Sequence, residues 1–153
     1  MTLLRPARPD EAALLSDLAV RSKGHWGYDA DFLAGCRAVL AIEPGEVIAR
    51  RTTVAEVDGV VAGHYLIDGD PPGAELGQLF VDPPFIGRGI GRRLWEHAVA
   101  TAADVGIRTL EIAADPFAEA FYLAMGARRD GTVASEVTPG RELPRLTFAV
   151  PHG

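Results

Sequence analysis

Residues 79–95 read LFVDPPFIGRGIGRRLW. An apolar run is followed by two prolines, then by glycines at every second position, then by an amphipathic stretch. A strand that feeds a glycine turn and then a helix commits the chain to a mixed α/β architecture. The turn also has a chemical use, because glycines let the backbone approach an anion and a following helix adds its N–H groups and dipole. Arg88, Arg92 and Arg93 crowd beside it although the formal net charge is −6. Positive charge concentrated at one glycine turn of an acidic chain points to a small anion, whereas net negative charge argues against nonspecific nucleic-acid binding. The plain alternative is a solvated helix face with ordinary arginines.

Three phosphate-binding patterns compete for this stretch. A Walker loop requires a lysine and then Ser or Thr after its last glycine, and here Gly91 is followed by Arg92 and Arg93. A Rossmann fingerprint requires G-x-G-x-x-G, whereas Gly87, Gly89 and Gly91 are spaced G-x-G-x-G. Glu111 stands where a ribose-binding acid would, roughly 20 residues on. The flanking lengths nevertheless leave no room for two mononucleotide-binding halves in 153 residues.

The remaining elements follow from period and punctuation. TLLRP (2–6) reads as a strand. Pro9 and Asp10 open a helix that runs to about Ser22, with Leu14, Leu15 and Leu18 on one side. A second helix is expected from Asp29 to about Ala41, striped by Phe32, Cys36, Val39 and Leu40, before the break EPGE. TVAEV and VVAGHYLI flank Asp58-Gly59, a short-hairpin signal. The loop DGDPPGA leads to the strand ELGQLFV. A helix then covers Gly89 to Ala103, burying Ile90, Leu94, Ala98, Val99 and Ala102 and closing at Gly106. TLEIAA is a strand. PFAEAFYLAM is a helix with Pro116 in its first turn and Gly126 at its end, and two strands at about 127–135 and 145–150 complete the order β-α-α-β-β-β-α-β-α-β-β. Repeats and linker-like tracts are missing from the sequence, so residues 1–153 read as one domain with a real core.

LFVDPPFIGRGIGRRLW followed by ADPFAEAFYLAMGA resembles the two signature segments of the GCN5-related N-acetyltransferase (GNAT) superfamily. The first resembles the segment in which a strand ending in V-x-P leads to Q/R-x-x-G-x-G/A. The second resembles the later segment with Asn or a similar residue, Ala, Phe-Tyr and a closing Gly. The resemblance covers essentially the whole chain. It implies a central mixed, mostly antiparallel sheet flanked by helices, with acetyl-CoA (coenzyme A) as cosubstrate. Carried over, Ile86, Gly87, Arg88, Gly89, Ile90, Gly91 and Arg92 form the pyrophosphate cradle, and Leu79, Phe80 and Val81 pair by backbone with the pantetheine arm. Ile86 departs from the pattern, where Gln or Arg is usual.

Amide formation from a thioester needs an amine that loses a proton, a stabilised oxyanion and a protonated thiolate. By the resemblance Tyr122 is the general acid, the alternative being ordinary helix core with its hydroxyl on a backbone partner. Glu75 opens the strand before the glycine turn and matches the base glutamate of the histone-acetyltransferase branch. Strand alternation puts it on one face with Gly77, Leu79 and Val81. Asp115 replaces the usual Asn beside the cofactor and either orients the pantetheine or caps the next helix. Phe117 packs on the cofactor or in the core. For the acceptor, His25, Trp26 and Tyr28 in HWGY are candidate walls of an amine pocket. Ser135 and Arg141 come from the C-terminal segment, Arg141 as a partner for a substrate carboxylate.

His25, His64, His97 and His152 lack metal-ligand spacing, so no metal is expected. His64 reads as a satisfied core or cleft histidine. Cys36, the single cysteine, lies on an apolar helix face as an inert thiol and fits a reducing cytoplasm. No run approaches the roughly 20 apolar residues of a membrane span, and the N-terminus carries charges too early for a secretory segment, so it reads as mature. The sequence reading is thus an N-acetyltransferase that uses direct attack in a ternary complex. Its alternative is an acyl-CoA-binding or sensing module with an idle catalytic pair. A charged-tRNA acceptor is disfavoured by the scarcity of positive charge, and the fold allows a homodimer through its C-terminal strands.

Overall fold

The computed structural model describes residues 1–151. Strand β1 (Thr2–Pro6) leads through a 3₁₀ turn to helix α1 (Ala12–Gly24), followed by α2 (Ala30–Leu40). Strands β2 (Thr53–Val57), β3 (Val60–Asp68) and β4 (Gly73–Val81) form a meander. Helix α3 (Ile90–Asp104), β5 (Thr109–Ala113), α4 (Glu119–Ala124), β6 (Arg128–Ala134) and β7 (Glu142–Ala149) complete the chain. The seven strands lie in the order β1-β2-β3-β4-β5-β7-β6, antiparallel throughout except for β4 beside β5. This is the mixed, mostly antiparallel sheet that the family resemblance implied.

Helices cover both faces. On one, Ile90, Leu94 and Ala98 of α3 and Tyr122 of α4 pack with Tyr65, Ile67, Leu76, Leu110 and Ile112 of the sheet. On the other, Ala12 and Leu15 of α1 pack with Val54 and Leu66. Leu15, Leu18 and Ala19 are fully buried, but Leu14 is exposed. A 3₁₀ turn, Pro9–Glu11, precedes the α-helix, which starts at Ala12. The stripe docked on the sheet runs Ala12-Leu15-Leu18-Ala19, and Leu14 points about 100° away from Leu15. Trp95 joins the buried face of α3, while Val99 is only partly covered.

Helix α2 is capped by Asp29, whose carboxylate accepts the Phe32 N–H at 2.8 Å. Of its apolar stripe only Cys36 is buried. Phe32, Cys36, Val39 and Leu40 line a cleft, so this face serves as a cavity wall rather than as core.

A bulge in β4 changes what the sheet presents. Leu66 pairs with Gln78 but Ile67 pairs with Leu76, which leaves Gly77 as an extra residue. A Cβ at Gly77 would lie 2.4 Å from Asp68 Oδ2 and 2.7 Å from Leu66 Cδ1, so any other residue would displace those side chains. The extra residue reverses the alternation. Glu75, opposite Asp68, shares the α1/α2 face with Gln78 and Phe80 rather than with Leu79 and Val81.

Candidate functional site

The parallel ladder between β4 and β5 has three pairs and stops at Glu75 opposite Glu111. Beyond it β5 stays bonded to β7 through Ala113, while β4 continues to Val81 beside β3. The strands part, and the gap opens into a cleft of about 750 Å³. Among the described residues no strand pairs with residues 76–81 of β4 on the β5 side, which leaves backbone donors and acceptors facing the cleft. Leu79, Phe80 and Val81 all line it.

One end of the cleft is the glycine turn. Gly87 (φ +87°) and Gly89 (φ +79°) adopt left-handed backbone, and a Cβ at either would meet nothing within 4 Å. Among the described residues no side chain caps α3, whose first backbone bond is Arg93 N–H to the Gly89 carbonyl at 3.2 Å. Its first-turn N–H groups are thus available to an anion. Ile86, Gly87, Gly89, Ile90, Gly91 and Arg92 line this end. Arg88 does not: its guanidinium lies over the Phe85 ring at 5.4 Å, outside the cleft wall.

Tyr122 reaches the cleft from α4, buried between Trp95 and Phe121 with ring centroids 5.9 and 5.2 Å away. Burial, helped by the Asp115 charge, pushes its hydroxyl well above the usual tyrosine range, so it holds its proton. Helix α4 is shorter than PFAEAFYLAM suggested, because residues 116–118 form a turn. The Asp115 carboxylate accepts the Phe117 N–H at 2.9 Å and its carbonyl accepts the Ala118 N–H at 2.8 Å. Ala118, not Asp115, is the N-cap of α4.

Asp115 is instead the hub of a polar chain. Lys23 Nζ lies 2.6 Å from its Oδ2, and the Tyr28 hydroxyl donates to the same oxygen at 2.9 Å. Burial alone would raise this carboxyl, but the Lys23 ammonium and the bonds from Phe117 and Tyr28 outweigh it and hold it below the ordinary range. The Tyr28 oxygen in turn accepts Arg141 Nη2 at 2.9 Å. Trp26 stacks on Phe117 with centroids 5.3 Å apart and planes within 8°. Trp26, Phe117, Ser135 and Arg141 line the cleft. Tyr28 stands behind Arg141, and His25 only packs its ring against the edge of Trp26, so neither is a wall. Ser135 Oγ accepts the Val137 and Thr138 N–H groups, both at 3.1 Å, which shapes the β6–β7 loop.

Glu75 lines the cleft as an exposed residue whose carboxyl is partly desolvated. That desolvation, and then the charges of Asp68, Glu136 and Glu111, raise its carboxyl above the ordinary range against the opposing pull of Arg50. His64 is fully buried and lowered to about 4 by burial, although its Nε2 meets Gln78 Oε1 at 2.9 Å. Gln78 also donates to the Leu40 carbonyl at 3.0 Å and so ties β4 to the end of α2. Burial raises the Cys36 thiol. Among the described residues no group of His, Cys, Asp or Glu is arranged to hold a metal ion, and no helix is long and apolar enough to cross a membrane. His152 lies outside the described residues.

Sequence reasoning missed Lys23, Gln78 and Glu136. Lys23 stood in the loop that was read for its aromatics, and its partner Asp115 is 92 residues away, so no local pattern joins them.

The family model described as acetyltransferase (GNAT) family matches residues 15–127. Among solved structures, a GCN5-related N-acetyltransferase from Rhodopseudomonas palustris superposes with TM-score 0.79 at 22% identity, covering 97% of this chain and 96% of that one. The PaiA N-acetyltransferase of Thermoplasma acidophilum, in complex with coenzyme A, gives 0.78 at 16% identity over 97% and 99% of the two chains. The ribosomal-protein-S18-alanine N-acetyltransferase of Escherichia coli gives 0.74 at 16% identity over 100% and 96%. No curated protein matches the sequence significantly.

Proposed function

Because the chain belongs to the acetyltransferase (GNAT) family, we propose that it acts as a single catalytic domain that moves an acetyl group from acetyl-CoA to the amine nitrogen of an acceptor within a ternary complex. The observation that carries this reading is the free β4 edge running from the uncapped end of α3 toward the buried Tyr122 hydroxyl. A pyrophosphate fits where Gly87 and Gly89 leave open space, and a pantetheine arm fits along residues 79–81 as an added strand would. The coenzyme A held by the Thermoplasma structure of the same fold supports the assignment.

In this reading Glu75 takes a proton from the acceptor ammonium, directly or through water, which frees the nitrogen lone pair. The nitrogen attacks the thioester carbonyl carbon, and backbone N–H groups of the β4 edge stabilise the oxyanion. As the C–N bond forms and the C–S bond breaks, Tyr122 gives its proton to the departing sulfur, and the second proton of the attacking nitrogen passes through water to restore the Tyr122 hydroxyl. Burial keeps that hydroxyl protonated in the resting site. The Arg88 guanidinium lies over the Phe85 ring, off the cleft wall, so in this reading Arg88 contributes its backbone rather than its side chain.

The test is thiol release from acetyl-CoA across an amine panel, with Tyr122→Phe in parallel. Turnover should fall roughly 10²- to 10⁴-fold in the variant while acetyl-CoA binding persists. Tight acetyl-CoA binding with no thiol release for any amine would defeat the transfer reading and leave a binding module.

A further inference from the structure

The ionic pairing inside the cleft narrows the class of acceptor. Four cations line it: Lys23, Arg92, Arg141 and Arg145. Lys23 is matched by Asp115, Arg92 by Glu96 at 3.2 Å, and Arg145 by Glu111 and Asp130. Arg141 has no carboxylate within ion-pair distance among the described residues, and its guanidinium makes one hydrogen bond, to the Tyr28 hydroxyl. A guanidinium carries five N–H donors, so most of this one's capacity is unspent.

Its position is nevertheless held. The guanidinium lies 5.0 Å from the Phe32 ring centroid and 5.3 Å from that of Tyr28, and the Tyr28 hydroxyl is anchored by Asp115. The loop that carries Arg141 is seated on α2, where Val137 Cγ1 occupies the space a Cβ on Gly35 would need, 2.9 Å away. A flat, stacked guanidinium with free donors is preorganised for a two-pronged carboxylate. On the acidic side, Glu75 and Glu136 line the same cleft without an ion-pair partner among the described residues, and they are near enough for the Glu136 charge to raise Glu75.

Resting on the transfer reading above, we propose that the acceptor is a small amino carboxylate, a free amino acid or a close analogue, with its carboxylate on Arg141 and its amine toward Glu75 and Glu136. One cation and two carboxylates without ion-pair partners among the described residues, all lining one cleft, complement a zwitterion. A polyamine would leave Arg141 unanswered and add like charge beside it. A peptide N-terminus has no carboxylate next to its amine, since the amide bond has consumed it.

The experiment compares thiol release with the free amino acids, their α-amides and simple alkylamines, using wild type, Arg141→Gln and Tyr28→Phe. Wild type should prefer free acids over the matching amides on the order of 100-fold in kcat/KM, the loss expected when a charged bidentate contact goes. Arg141→Gln should raise KM for the free acid by a similar factor and bring the acid-to-amide ratio near one. Tyr28→Phe, which keeps the ring and removes the hydroxyl, should raise KM less and leave kcat within about twofold. Unchanged coenzyme A affinity and melting temperature show that the variants are folded. Amides or alkylamines acetylated as well as free acids would overturn the proposal while sustaining the transfer reading. So would an acid preference that survives Arg141→Gln. Thiol release with no amine of any class would sink both.

Discussion

Replacing Gly89 by alanine separates two consequences of one backbone angle. Gly89 sits at φ +79°, ψ 9° at the start of α3. An L-residue in this left-handed region costs roughly 1–2 kcal/mol. No atom lies within 4 Å of the new methyl group, so steric overlap adds nothing in the free protein. For a chain of this size the loss corresponds to a drop of about 3–6 °C in Tm. The open space around that methyl group is also where a pyrophosphate must approach the N–H groups of α3. Coenzyme A affinity should therefore fall by more than the strain explains, on the order of tenfold or beyond, as a charged hydrogen bond is lost. Thermal unfolding and titration calorimetry with coenzyme A read the two effects separately. Gly45→Ala is the control, because Gly45 also has open space around it but lies outside the left-handed region. A Gly89→Ala protein with lowered Tm and undiminished coenzyme A affinity would refute the cradle.

Two further outcomes concern protons. With Glu75 raised by partial burial and by Asp68, Glu136 and Glu111, the acidic limb of kcat/KM should lie above the ordinary carboxylate range; Glu75→Gln should erase that limb and lower neutral-pH kcat/KM about 100-fold, whereas Glu136→Gln should shift the limb to lower pH, and a limb indifferent to both changes would remove Glu75 from the mechanism. His64 is lowered to about 4 in the folded protein, so between pH 6.5 and about 4 the unfolded chain binds a proton that the folded one refuses, and stability must fall as pH drops through that window. At 1.36 kcal/mol per pH unit its share is about 3 kcal/mol. Urea denaturation of wild type and His64→Leu at pH 7, 6 and 5 should show a shallower slope in the variant, and parallel slopes would rule the histidine out as the source.

Much of this site was legible in one dimension. The strand-turn-helix order of residues 79–95, the hairpin at Asp58-Gly59 and the Phe-Tyr pair before Gly126 are local patterns. Period two, period 3.6 and glycine punctuation arise from backbone geometry within a few residues, so sequence shows them directly. The errors occurred where a local rule met a distant neighbour. Alternation put Glu75 beside Leu79, but a bulge at Gly77, set by the pairing of β4 with β3, turns Glu75 to the α1/α2 face. The stripe of α2 was visible but its use as a cleft wall was not, because periodicity reports an apolar face but not what that face meets.

By itself the sequence determined the element order, the anion-ready glycine turn and the family likeness, each of which depends on spacings no longer than a strand or a helix. Only the tertiary structure decided which charges in the cleft cancel. Lys23 finds Asp115 across 92 residues, Tyr28 finds Asp115 across 87, and Arg141 finds Tyr28 across 113. Those pairings exist because β4 and β5 part and bring α1, the turn after β5 and the β6–β7 loop around one opening. Electrostatics acts through space over a few ångströms, so the cleft cation left without a carboxylate among the described residues, Arg141, can be recognised only after the chain has folded.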